Sequence, residues 1–169
     1  MTQGFHPRPK MSFPLALSVG IEAQEEVAEV VLTGDVTAND LSEQLNQHAV
    51  PGLVIGEIQV LEGNAAKAQV TSVTYELKIP AHRLDSARAA VNQLNQTEEY
   101  FIQRKGRDEP IELCSRLEEL TLSDNLLRFR LNNSHQVGVR PREILDALEL
   151  SELEHEGYWL TRTEVELAS

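Results

Sequence analysis

Apolar and polar residues alternate most regularly from Ser72 to Ile79, where Val73, Tyr75, Leu77 and Ile79 fall on one side and Thr74, Glu76 and Lys78 on the other. A period of two predicts a half-buried strand. Beyond Pro80, which closes that strand, Leu84, Ala87, Val91 and Leu94 recur at helical spacing, so a helix is expected to cover the sheet. Leu127, Phe129 and Leu131 alternate with Arg128 and Arg130, which predicts a second strand with both arginines on its exposed face. Pro141 suits the first turn of a helix through Ile144, Leu145 and Leu148, and a last strand is expected over Tyr158 to Leu167. Between these, Glu99 to Gln103 reads as a strand, and Ile111 to Leu122 as a strand entering a short helix or a bent hairpin.

The first third is less regular. Leu15 to Ile21, Glu26 to Leu32 and Leu53 to Leu61 are apolar runs that read as strands. Thr37 is an N-cap candidate with Asp40 three residues on, and Leu41 and Leu45 share one face of a short amphipathic helix ending near His48. Val50-Pro51-Gly52 is a turn signal. The order of elements in residues 67–169 suits an antiparallel sheet with helices on one face, and residues 1–64 read as the same unit without its opening strand and helix. The expected fold is therefore α+β, with two ferredoxin-like (split βαβ) subdomains of antiparallel sheet, the first truncated. A truncated sheet leaves an open edge that invites a homodimer.

Charge changes this picture in one respect. Over 169 residues the formal net charge is −12, which argues against a surface that binds nucleic acid throughout. There is no Lys or Arg between Met11 and Ala66, a stretch that carries Glu22, Glu25, Glu26, Glu29, Asp35, Asp40, Glu43, Glu57 and Glu62. Positive residues gather instead at His6, Arg8 and Lys10, at Arg104, Lys105 and Arg107, and at Arg128, Arg130, Arg140 and Arg142. Brought together by folding, these would form a local basic face.

Candidate chemistry is sparse. No apolar run reaches the length of a membrane span, the opening MTQGFHPRPKMSF has no signal-peptide core, and the single Cys114 allows neither an internal disulfide nor a Cys-only metal site. A cytoplasmic protein without metal or cofactor is expected. Cys114 lies in an apolar-flanked stretch that favours packing over nucleophilic chemistry, and neither a nucleophile elbow nor a Gly-rich phosphate loop is present. The strip Phe5 to Phe13 has prolines at 7 and 9. It could present Phe5, His6, Arg8, Lys10 and Ser12 to unpaired RNA, or it could end an edge strand with its phenylalanines in the core. Arg128 and Arg130, with Arg140 and Arg142 at the start of a helix, could meet RNA or an acidic protein; alternatively, Arg128 and Arg130 pair with Glu76, Glu164 or Glu166 on neighbouring strands.

The run Gln3-Gly4-Phe5-His6-Pro7-Arg8-Pro9-Lys10-Met11-Ser12-Phe13, followed by Ala16-Leu17-Ser18-Val19-Gly20-Ile21-Glu22, resembles the hallmark of a bacterial family of unknown function. Members of that family are encoded beside, or fused to, B12-binding radical SAM proteins. The likeness continues through Leu45-Asn46, Pro51-Gly52, Val139-Arg140-Pro141-Arg142-Glu143-Ile144-Leu145 and Arg162-Thr163. It departs where members begin with a further strand and Arg-rich helix, and where Glu112-Leu113-Cys114-Ser115 replaces an Asp-Ile-Arg-Pro-like stretch.

The resemblance implies an accessory role beside a radical SAM protein, in a setting shared with RNA processing. One cysteine cannot hold the three-cysteine cluster of such enzymes, so radical chemistry would be the partner's. Two functions are expected from this. The first is a non-catalytic domain that binds tRNA or rRNA or presents an RNA-related substrate. The second is an interaction module that docks its acidic surface on a radical SAM or ribosome-related protein. The first reading predicts RNA binding that weakens as salt is raised from about 50 to 200 mM and on Arg8→Ala or Lys10→Ala, measured by titration with tRNA and rRNA fragments.

Overall fold

Val73, Tyr75, Leu77 and Ile79 are all buried, as their alternation predicts. In the computed structural model, which describes residues 10–61, 65–134 and 137–168, the chain contributes β1 (Lys10–Ser12), β2 (Glu22–Ala23), β3 (Glu29–Val31), α1 (Ala38–His48), β4 (Val70–Lys78), α2 (Leu84–Asn95), β5 (Phe101–Ile102), β6 (Ile111–Glu112), β7 (Leu117–Ser123), β8 (Leu126–Asn132), α3 (Pro141–Ala147) and β9 (Thr161–Leu167). The fold is mixed α+β: three helices, one five-stranded sheet and two small two-stranded sheets among the described residues. Two compact units result, one of Ala28–Lys67 with the stretch ending at Phe13, the other of Pro14–Val27 with Ala68–Ser169.

The second unit is built on the sheet β2-β9-β4-β8-β7. β4 pairs antiparallel with β8 in an unbroken register from Ser72↔Asn132 to Lys78↔Leu126. On its other side it pairs antiparallel with β9, with a slip between Thr74 and Tyr75. β7 and β8 form a hairpin, and β2 adds to the far side of β9 in parallel, Glu22 opposite Thr161. The sheet is thus mixed, where an antiparallel one was expected. Its inner face and the helices share one core: Ala87, Val91 and Leu94 from α2, Ile144 and Leu145 from α3, Leu77 and Phe129 from the strands, and Leu160 just before β9. Tyr75 and Phe129 stack with ring centroids 5.5 Å apart.

Residues 14–27, which the sequence pattern groups with the first subdomain, belong to this second unit. Arg162 on β9 is 2% exposed and lies 5.8 Å from the centroid of the Tyr75 ring. A buried guanidinium needs acceptors. It finds Glu26 Oε1 at 2.6 Å and the carbonyls of Leu15 and Ala16, each at 3.2 Å. Those two carbonyls are therefore not in a strand ladder, and the strand expected over Leu15 to Ile21 is replaced by a turn, Ile21 N–H to Ser18 O at 3.1 Å, before β2 begins. Gly20 makes that turn with φ +81, and a Cβ there would lie 2.9 Å from an Arg142 guanidinium nitrogen.

The first unit is sparer. β1 and β3 form a two-stranded antiparallel ribbon, Met11 opposite Val30, shorter than the strand expected over Glu26 to Leu32. α1 starts at the expected N-cap, the Thr37 hydroxyl accepting from the Asp40 N–H at 3.2 Å, and ends at His48. The turn at Val50 is present, Leu53 N–H to Val50 O at 3.0 Å. The strand expected over Leu53 to Leu61 does not form a ladder. The side-chain amide of Asn46 supplies the rung there instead, accepting from Ile55 N–H at 2.9 Å and donating to Ile55 O at 3.1 Å. None of the described residues of this unit is buried.

Removing Glu26 would leave the Arg162 charge buried without its counter-ion, so Glu26→Ala is expected to cost about 3 kcal/mol of second-unit stability. Gly20→Ala is expected to cost about 1–2 kcal/mol through its left-handed backbone alone. Urea unfolding followed by circular dichroism measures both; midpoints equal to wild type would show that the clamp and the turn are dispensable.

Candidate interaction surfaces

Of the proposed basic strip, Phe5, His6 and Arg8 lie outside the described residues. Lys10 and Ser12 fall on β1 at alternate positions, hence on one face of the ribbon. Lys10 is exposed, and Ser12 Oγ donates to Glu29 Oε2 at 3.0 Å.

Arg128 and Arg130 do share the outer face of the five-stranded sheet, and there they are paired. Arg128 meets Glu76 at 3.0 Å, Glu164 at 3.5 Å and Glu119 at 3.8 Å. Arg130 meets Glu118 at 2.9 Å and also Glu166. Around them Ser72 Oγ donates to Glu166, Thr74 Oγ1 to Glu164 and Asn132 Nδ2 to Glu118. Hydrogen bonds to Glu118 and Glu166 raise the Arg130 pKa, and those from Ser72 and Arg130 lower that of Glu166. Five carboxylates surround two guanidinium groups. The face is a carpet of ion pairs with excess negative charge, and it covers Ser72 and Thr74 so closely that both are buried.

Arg140 and Arg142 sit at the start of α3. The Arg140 side chain is exposed, and its backbone N–H donates to Glu143 Oε2 at 2.7 Å. Arg142 pairs with Glu154 at 2.8 Å and donates to Val19 O at 2.8 Å, which locks the Gly20 turn. The basic turn divides in the same way: Arg104 forks onto Glu143, Nε to Oε1 at 2.6 Å and Nη2 to Oε2 at 2.7 Å, and also reaches Gly138 O. Burial raises the Glu143 pKa, but the hydrogen bonds from Arg104 and the Arg140 backbone outweigh it and the net direction is down. Folding distributes the positive residues of the sequence among carboxylates, and the expected common basic face does not follow from the described contacts.

Sequence reasoning missed Glu112. Its carboxylate accepts three backbone N–H groups, from Cys114 and Ser115 at 2.7 Å each and from Tyr100 at 3.2 Å. It therefore holds the start of β5 against the turn after β6. Desolvation opposes its charge, but these hydrogen bonds prevail and hold its pKa at about 2. A Glu followed by a Cys-Ser turn is too common a pattern to have flagged this. Cys114 packs partly buried against the core, its thiol pKa raised by burial first and by the Glu112 charge second. Among the described residues no group of three or more His, Cys, Asp and Glu side chains is placed to hold a metal, and no helix is long and apolar enough to cross a membrane.

The first unit supplies a surface of another kind. Met11, Val31, Leu53, Val60 and Leu61 are more than half exposed, and Val54 is 82% exposed. Exposed acids Asp35, Asp40, Glu43 and Glu57 accompany them.

The fold and these surfaces define a mixed α+β protein whose outer sheet face is a carpet of ion pairs. The chain belongs to the family described as "Uncharacterized protein conserved in bacteria (DUF2344)", whose pattern matches residues 1–141. No curated protein and no solved structure is significantly similar to it.

The depressed Glu112 pKa makes a pH prediction. Its contribution to stability is complete above the ordinary carboxylate value of 4.5 and is lost as pH falls from there through about 2. Glu112→Gln should therefore lower the urea midpoint at pH 7 and flatten its decline between pH 5 and pH 2.5. A variant whose midpoint follows the wild-type curve in that window would remove Glu112 from this role.

Proposed function

We propose that this protein is a docking subunit whose first unit binds a partner protein presenting apolar residues among lysines and arginines. The observation that carries this reading is the exposure of Met11, Val31, Leu53, Val54, Val60 and Leu61 in a unit none of whose described residues is buried. Large exposed apolar side chains concentrated in one unit mark an interaction site. The absence of Lys and Arg from Met11 to Ala66 selects the sign of the partner's charge. The family resemblance makes a radical SAM protein the partner to test first. In this reading the chain contributes binding and positioning, and the chemistry belongs to that partner.

The second unit, in this proposal, is a ferredoxin-like split βαβ scaffold. What supports it is the order β9-β4-β8-β7, antiparallel throughout, with α2 following β4 and α3 following β8. RNA binding is the competing function. It rests on Lys10, Arg140 and the residues before Lys10, while the carboxylates around Arg128 and Arg130 oppose phosphate.

Mixing the purified chain, after nuclease treatment, with the radical SAM protein of the same genome should give one co-eluting species on size exclusion. Val54→Asp with Leu53→Asp, both at exposed positions, should weaken that association at least about tenfold. Separate elution of the two proteins would overturn the docking reading, and salt-sensitive binding of tRNA that is lost in Lys10→Ala would replace it.

A further inference from the structure

A groove of about 350 Å3 crosses the outer face of the five-stranded sheet at one end, within the second unit. β2, β9, β4 and β8 form its floor through Glu22, Thr161, Glu76, Lys78 and Leu126, and Trp159 lines one side. Trp159 is the chain's single tryptophan, and it is 46% exposed. Beside it the turn at Gly20 holds Val19 94% exposed. The indole comes within 3.9 Å of where a Gly20 Cβ would stand, and Arg142 fixes the turn through Val19 O. A half-exposed indole on so firmly tethered a support is a preorganised contact surface.

The charges of the groove select its ligand. Glu22 and Glu76 are both in register with Thr161, one strand away on either side, so they stand about 10 Å apart across the floor. Glu76 is engaged by Arg128 through Oε1. Glu22 and Lys78, the latter two residues along β4 from Glu76, are both exposed, and neither charged group has a partner among the described residues. By count of charges Glu76 is balanced by Arg128 and Glu22 by Lys78, but the groove adjoins the carpet in which five carboxylates surround two guanidinium groups, so the field at its floor is negative, in a chain of net charge −12. We propose that this groove takes an arginine side chain of a partner polypeptide, its guanidinium stacked on Trp159 and forked onto the Glu22 carboxylate. Arginine suits the place better than lysine because its planar head can stack on an indole and donate two parallel hydrogen bonds at once. The assignment concerns the second unit and stands whether or not the first unit docks a partner.

With one tryptophan, fluorescence excited at the red edge, where the three tyrosines do not absorb, reports on this groove alone. The full chain is titrated with a blocked tri-arginine peptide, acetylated and amidated, and with its citrulline counterpart, which keeps the shape and lacks the charge. A saturable change at millimolar peptide is expected with arginine only. Glu22→Gln, at an exposed position, should weaken it about fivefold or more, while Glu98→Gln, exposed in the same unit but not lining the groove, should not. No saturable change, an equal response to citrulline, or equal weakening by Glu98→Gln would overturn the site. Free arginine binding more tightly than the blocked peptide would overturn the polypeptide assignment, since Lys78 would then be holding a carboxylate.

Discussion

The buried guanidinium of Arg162 is the constraint from which much of the second unit follows. Its side chain is taken out of water on the inner side of β9, against Tyr75, and the chain must bring acceptors to it. Glu26 and the carbonyls of Leu15 and Ala16 answer that need from residues some 140 positions away. Satisfying them draws residues 14–27 onto the sheet, extends it by the parallel strand β2 and sets the Gly20 turn where Arg142 can hold it. A buried ion pair adds little net stability relative to well-packed apolar residues, but it is intolerant of a missing partner. Its consequence here is specificity: this arrangement of the segment satisfies the charge, and one that leaves Arg162 unpaired is excluded by several kcal/mol.

The same rule, that a charge takes the nearest partner folding provides, separates the basic residues of the sequence from a basic surface. Alternation along β8 placed Arg128 and Arg130 on one face, and that much was legible. Whether they were available was not. Their partners Glu76, Glu164 and Glu166 lie 36 to 52 residues away in the chain and become neighbours only through the β4–β8 and β4–β9 registers. Pairing with those three glutamates was one of two readings open from the sequence, and the geometry favours it. Arg104 and Arg142 follow suit with Glu143 and Glu154. An arginine cluster in a sequence rich in carboxylates carries information about surface potential only after the sheet register is known.

Elements defined by local periodicity were the legible ones. α1, with its Thr37 cap, α2, α3, β4 and β8 all lie where spacing put them, because their apolar faces meet one core or their caps are local. The misread segments are apolar runs whose backbone partners are side chains: Arg162 for Leu15 and Ala16, Asn46 for Ile55. No periodicity encodes such a substitution. Glu112 escaped notice for a related reason, since the N–H groups that depress its pKa come from the Cys114-Ser115 turn and from Tyr100 twelve residues away, a convergence that arises only in the fold.

The two units differ in what they bury, and this difference bears most directly on function. All buried side chains among the described residues belong to the second unit, where sheet and helices close over Phe129, Leu77 and their neighbours. The first unit offers a two-stranded ribbon and an eleven-residue helix. Each is near the lower limit of what persists in water without apolar cover. Ordering such a segment costs conformational entropy that its own contacts, largely backbone hydrogen bonds and the Asn46 bridge, do little to offset. Association that covers Val54, Leu53 and their neighbours would supply the missing burial. The acidity of the stretch would then act as a selector, admitting a basic partner and repelling both nucleic acid and further copies of this chain.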